Sequence, residues 1–177
     1  MSAAAPKTWQ EEIYDILKRS AVRQVAWVPD AGHAHVISRV LEDPEMHGIP
    51  LTTEEEGVAL ACGAWLGGDR AVLLMQSSGV GNCVNMLSLV RSCGFPFLAL
   101  VTMRGEWEEF NGWQVPMGRA TPAVLEAMDV RVLRVDEPER VGETVGAAVD
   151  AAFGGGDAVA VLLGQRLVGR KDWGGSR

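Results

Sequence analysis

The sequence predicts an α/β domain, a doubly wound sheet of six mainly parallel strands with helices on both faces. Short apolar runs of strand length alternate with segments of helical periodicity along almost the whole chain. Single helices separate successive strands, and such crossovers return over a sheet when its strands are parallel. The run AVLLM at 71–75 is apolar on both faces, as in strands covered on both sides.

The bulk numbers agree with one globular domain. The chain has 177 residues, 47% hydrophobic and 22% charged, enough for its own core. The expectation is a single domain over 1–177, with a core of about 6–166 and a polar tail at 167–177. A net charge of -7 argues against a nucleic-acid or anionic-membrane surface, although single basic residues can still line an anion pocket. Cys62, Cys83 and Cys93 are odd in number and have no CxxC spacing, which reads as free thiols in a reducing compartment. Apolar runs such as 95–103 fall far short of the roughly 20 residues of a membrane span. Residues 1–7 lack the basic and apolar regions of a secretory leader, so the expected location is cytoplasmic.

Taken in order, a helix over 6–20 places Trp9, Ile13, Ile16 and Leu17 on one face. A strand over 24–28 ends at Pro29, Asp30 and Gly32, and a helix over 34–41 is broken by 44–48. A strand over 49–53 leads into a helix over 54–66, rich in Ala and Gly and stopped by Gly67 and Gly68. The strand at 71–75 is followed by a polar turn at 76–82 and a helix over 83–91. After a strand at 97–103, the aperiodic segment 104–119 carries Trp107, Phe110 and Trp113 and reads as a long functional loop, a lid or a subunit contact. A helix over 121–128 has Pro122 in its first turn. A strand at 131–135, a helix over 138–153 and the strand at 158–163 complete the alternation, with a loose tail after Arg166.

Ligands of such sheets bind beyond the carboxyl ends of the strands. Those ends are 29–30, 52–54, 76–82 and 104 onward, where polar residues and glycines concentrate. Thr53 and Glu56 have capping-box spacing, and carboxylates in a first turn suit the helix dipole. That accounts for Glu56 and Glu55 without requiring Glu54 at the strand end. Ser78-Gly79-Val80-Gly81-Asn82 can cradle a phosphate, yet it lacks the Lys-Ser/Thr pair of a P-loop and the third glycine of a dinucleotide fingerprint. His33 and His35 form an HxH with no second ligand cluster, so no metal ligands are assigned to this chain. Cys62 and Cys83 fall on buried helix faces, where thiols are inert.

The stretch from Glu54 through Gly57 and Ala61 to Gly63 resembles the pyrimidine-binding domain of thiamine-diphosphate-dependent decarboxylases. There a strand-end glutamate is followed nine positions later by a glycine in a small-residue helix, a spacing that Glu54 and Gly63 match and Glu55 and Glu56 do not. Leu74-Met75-Gln76-Ser77-Ser78-Gly79-Val80-Gly81-Asn82 is similar to the MQNSGxGN turn of sulfopyruvate and phosphonopyruvate decarboxylases, with Ser77 for the usual Asn. Val28-Pro29-Asp30, Arg104-Gly105-Glu106 and Pro116-Met117-Gly118-Arg119-Ala120-Thr121 resemble further segments of that group, so the likeness spans about 24–163. It is strongest to the α subunits of sulfopyruvate decarboxylases, which are split enzymes. The GDG and Asn-Asn signature of the diphosphate-binding domain is missing, since Gly68-Asp69-Arg70 is not that motif and no Asn-Asn pair occurs.

The resemblance implies a catalytic subunit of a two-chain 2-oxo acid decarboxylase using thiamine diphosphate and Mg2+. The metal would be held mainly by a β subunit carrying the diphosphate-binding domain, in a hetero-oligomer. It implies Glu54 as the carboxylate that hydrogen-bonds the aminopyrimidine and drives proton transfer, with Gly79 and Asn82 as further cofactor contacts. Gln76, Ser77 and Ser78 would orient the substrate. Arg104 is the candidate for an anionic substrate group, with a solvated loop arginine as the alternative. His33 is a further candidate substrate contact, and His35 stands beside it. Conversion of sulfopyruvate to sulfoacetaldehyde, as in coenzyme M assembly, is the leading activity. A phosphonopyruvate decarboxylase subunit and a non-catalytic assembly subunit are the alternatives. A flavodoxin-like nucleotide module would place a phosphate loop after the first strand, where Asp30 stands instead.

Overall fold

The computed structural model describes residues 7–170, so the helix start at Pro6 and the tail from 171 onward lie outside the described residues. Six parallel strands form one sheet in the order β2-β1-β3-β4-β6-β5. They are β1 (Val22–Trp27), β2 (His47–Pro50), β3 (Arg70–Gln76), β4 (Phe97–Thr102), β5 (Arg131–Val135) and β6 (Ala158–Leu163). The helices are α1 (Trp9–Arg19), α2 (Ala34–Glu42), α3 (Glu54–Leu66), α4 (Ser77–Cys83), α5 (Leu87–Cys93), α6 (Val115–Ala127), α7 (Val141–Phe153) and α8 (Gln165–Val168).

Successive side chains of a strand point to opposite faces, and the sheet's two cores follow that alternation. Val72, Leu74, Leu98, Leu100 and Val161 face α1, α2 and α7. Leu73, Met75, Ala99, Val101 and Leu162 face the layer of α3, α4, α5 and α6. The apolar stripe of α1 is buried through Ile13, Ile16 and Leu17, while Thr8 caps its start by accepting from the Glu11 N–H. Glu11 and Glu12 in the first turn and Lys18 and Arg19 in the last complement the helix dipole.

The chain leaves β1 toward α2 on one face and leaves the adjacent β3 toward α4 on the other. A reversal of this kind opens a crevice at the carboxyl ends of the two strands. Gly57 lets α3 press onto the sheet there, because a Cβ at that position would lie 2.9 Å from Leu51 Cδ1 and would overlap Leu73.

Several elements differ from the sequence reading. β2 lies two residues earlier than expected and is only four residues long. The polar turn at 76–82 is helical, because Ser77 to Cys83 form α4. The long loop after β4 is shorter than expected, since α6 already begins at Val115. Pro116 takes the first-turn position and Pro122 lies inside the helix. The start of α6 is held against the exit of β4: a Cβ at Gly118 would overlap the Arg104 carbonyl, so only glycine permits that approach. The chain stays ordered past Arg166 through α8. Among the described residues no helix is long and apolar enough to cross a membrane.

Candidate active site

Glu54 is the first residue of α3, separated from the end of β2 by Leu51, Thr52 and Thr53, and only 8% of it remains exposed. Its Oε2 accepts a hydrogen bond of 2.7 Å from Asn82 Nδ2 on α4. On the same face of α4, a Cβ at Gly79 would fall 2.5 Å from Glu54 Cδ, so the carboxylate occupies the space that any other residue would fill. One turn of α4 is thus shaped to receive the side chain. The neighbouring glutamates are different: Glu55 and Glu56 are exposed, and Glu56 reaches back to the Thr52 N–H at 2.8 Å. Thr53 makes no side-chain cap, so only the glutamate half of the capping box forms, one residue earlier than the spacing suggested. Gly81 faces α6, where a Cβ would meet Met117 Sδ at 3.5 Å.

Cys83 ends α4 against the core, and burial, followed by the charges of Glu54 and Glu55, pushes its thiol up to about 12. Burial raises Cys62 as well, whereas Cys93 is exposed. A thiol titration of the folded chain at pH 8 is therefore expected to consume one equivalent of disulfide reagent rapidly, at Cys93. The other two should react only on unfolding. Rapid loss of two or more would contradict the burial of Cys62 and Cys83.

A second polar group bridges the ends of three strands. Asp30, after β1, accepts from Gln76 Nε2 of β3 at 3.1 Å and from Thr102 Oγ1 of β4 at 2.5 Å. Ser78 Oγ donates to Gln76 Oε1 at 3.1 Å, so both ends of that amide are fixed. Gln76 and Ser78 therefore stand at the crevice as the sequence predicted. Asp30 and Thr102 belong to the same group and were not assigned. The strand-end rule already pointed at Asp30, while Thr102 reads in the sequence only as the last residue of an apolar strand.

His33, His35 and Ser77 are each engaged with other groups of the protein. His33 is 1% exposed, and its Nε2 lies 3.3 Å and 3.1 Å from the carbonyls of Met75 and Leu100. Carbonyls only accept, so Nε2 carries the hydrogen and Nδ1 is a buried acceptor without a partner. Burial also lowers its basicity, so this is a neutral histidine tying the turn before α2 to β3 and β4. His35 lies on the surface against Glu11 at 2.8 Å. Ser77 is fully buried; its Oγ accepts from the Arg104 N–H at 3.1 Å and its carbonyl accepts from Thr121 Oγ1 at 3.3 Å. It is a joint between α4, α6 and the exit of β4.

Arg104 is neither a free anion contact nor a solvated arginine. It is 5% exposed, and its Nε and Nη2 donate to Glu109 at 2.6 Å and 2.5 Å. Glu109 also accepts from the N–H groups of Gly105 and Asn111 and from Gln165 Nε2. These donors, the guanidinium first, hold its carboxyl well down, at about 2. Gln165 Oε1 in turn accepts from the N–H groups of Glu106 and Trp107. Glu109 and Gln165 went unrecognised because no periodicity links them to Arg104. The loop they hold leaves Trp113 85% exposed. Among the described residues no group of three or more His, Cys, Asp or Glu side chains is placed to hold a metal ion.

No family model matches the chain. Individual proteins do match. Over 154 residues it is 36% identical to the sulfopyruvate decarboxylase subunit alpha of Methanothermobacter thermautotrophicus, covering 86% of this chain and 93% of that one. The chain belongs to the sulfopyruvate decarboxylase alpha-subunit family. Membership makes it a subunit of a carboxy-lyase acting on a 2-oxo acid. The phosphonopyruvate decarboxylase of Streptomyces viridochromogenes is 38% identical over 111 residues, 62% of this chain but only 28% of that longer one. In fold, the chain superposes on the 2-oxoglutarate:ferredoxin oxidoreductase from Magnetococcus marinus with a TM-score of 0.75 and 15% identity, over 97% of this chain and 34% of that one. That likeness concerns architecture alone.

Proposed function

We propose that this chain is the pyrimidine-binding half of a two-chain, thiamine-diphosphate-dependent decarboxylase that converts sulfopyruvate to sulfoacetaldehyde and carbon dioxide. One observation carries the reading: a nearly buried glutamate at the start of α3, seated on Gly79 and held by Asn82. The residues present suit an aminopyrimidine. The cradle offers one acceptor carboxylate among the small residues of α3 and α4, and such a carboxylate can hold a proton on a ring nitrogen.

Thiamine diphosphate, when bound, would supply the electron sink for decarboxylation. The chain's own residues do the rest of the positioning. Glu54 holds the proton at the pyrimidine nitrogen, and its burial keeps competing water away. Gln76 and Ser78 present an amide and a hydroxyl to the 2-oxo acid, with the amide held in place by Asp30. Ser77 and Arg104 act indirectly, by fixing the start of α4 against the β4 exit. With Arg104 committed to Glu109, the sulfonate is met by other groups, which a β subunit carrying the diphosphate-binding domain and Mg2+ would supply. Residues 1–177 would then form a single pyrimidine-binding domain.

The test is co-expression with a β-type chain, followed by carbon dioxide release from sulfopyruvate and from phosphonopyruvate with thiamine diphosphate and Mg2+. Turnover is expected only when both chains are present, and faster with sulfopyruvate. Full activity of this chain alone would overturn the two-chain reading. Faster turnover of phosphonopyruvate would overturn the assigned substrate.

A further inference from the structure

Asn82 is exposed, yet its side chain is spent on a residue that is nearly buried. A carboxylate can only accept, so the amide edge turned toward Glu54 is the nitrogen, and the 2.7 Å bond runs from Asn82 Nδ2 to Glu54 Oε2. Gly79 and Asn82 are three residues apart on α4 and share one face of it. Gly79 supplies a flat seat for the carboxylate, since even a methyl group there would displace Oε1 and Cδ. Asn82 supplies the only donor that reaches Glu54 among the described residues, and it reaches one oxygen alone. The glutamate side chain has several rotatable bonds. A seat on one side and a donor on the other leave it one orientation, with Oε2 occupied and Oε1 without a protein donor.

The geometry points to Asn82 as a positioning residue for Glu54: its amide holds Oε2 so that Oε1 is the oxygen left to the ligand. This rests on the reading of Glu54 as the working carboxylate, and it gives Asn82 a role different from direct contact with the cofactor. Asn82 is an exposed residue, so its replacement should spare the fold, because little packing is lost with it.

The test uses the full chain labelled with 13C at the glutamate carboxyl carbons. The Glu54 resonance is assigned by its loss in Glu54→Gln. In Asn82→Ala and in the isosteric Asn82→Asp, that resonance is expected to move at pH 7 while circular dichroism stays unchanged. In the two-chain complex, Asn82→Ala should lower kcat about tenfold with KM for the oxo acid within about twofold, as expected for loss of one charge-assisted hydrogen bond. Asn82→Asp should lower it further, because a second carboxylate beside Glu54 repels it. Asn82→Gln, which keeps an amide donor, should restore part of the loss. An unmoved Glu54 resonance with unchanged kcat in Asn82→Ala, alongside an inactive Glu54→Gln, overturns the role of Asn82 and leaves that of Glu54 standing. Full activity in Glu54→Gln overturns the underlying reading instead.

Discussion

Replacing Glu54 by Gln is expected to abolish decarboxylation in the assembled enzyme while leaving the chain as stable as before, or more so. The two effects have opposite signs for one reason. A carboxylate with 8% exposure and one hydrogen bond from the protein has lost most of its hydration and recovered little of it. Gln has nearly the same shape but no charge to desolvate, so unfolding is expected at the same temperature or a few degrees higher, a gain of up to about 1 kcal/mol. In the proposed role, the amide could not take over proton transfer at the pyrimidine nitrogen, and loss of a positioned acid–base group costs roughly 10²–10⁴-fold in rate. Steady-state carbon dioxide release and a thermal melt on the same preparation check both. A fall in activity that merely follows a fall in stability would mean that Glu54 is structural. Gly79→Ala should reduce activity through the same seat from the opposite side, by pushing the carboxylate out of place.

Much of this arrangement was legible in the sequence. The bounds of α3, β5 and β6 coincide with the predicted segments, because propensity, apolar pattern and flanking glycines agree there. Glu54, Gln76, Ser78, Gly79 and Asn82 lie at the carboxyl ends of the strands because crossover topology puts them there, whatever the side chains do. What failed were inferences from residue type without context. Gly79 and Gly81 argue for a turn by propensity, but one seats Glu54 and the other faces Met117, so packing stabilises a helix that local preference disfavours. His33 and Arg104 look like ligands for an anion because each can carry charge. His33 instead spends its hydrogen on two main-chain carbonyls, and Arg104 meets a partner five residues away in an irregular loop, where no periodicity announces the pair.

The Arg104–Glu109 pair carries the second large effect, on stability. The side chains are 7% and 3% exposed, and five hydrogen bonds converge on the carboxylate. Breaking such a pair from one side leaves an uncompensated buried charge, so Glu109→Ala should cost about 3–5 kcal/mol. Removing both charges with residues that fill the space, Arg104→Met with Glu109→Leu, should recover part of that loss, because neither ion then needs desolvating. The recovery will be incomplete, since the N–H groups of Gly105 and Asn111 lose their acceptor. The acid limb carries the same signature. Glu109 binds its proton at about 2 when folded, below the roughly 4.3 of an unfolded glutamate. Its contribution is therefore complete above that higher value and disappears as the pH falls from there through about 2. Urea unfolding of wild type and Glu109→Gln at pH 7 and pH 3 should show the difference between them shrinking toward acid. A substrate-binding Arg104 would behave otherwise: Arg104→Ala would raise KM for the oxo acid and leave the melt unmoved. That outcome would return the guanidinium to the active site. Loss of stability with an unchanged KM in the surviving folded fraction places it where its two hydrogen bonds to Glu109 do, in the frame of the loop that follows β4.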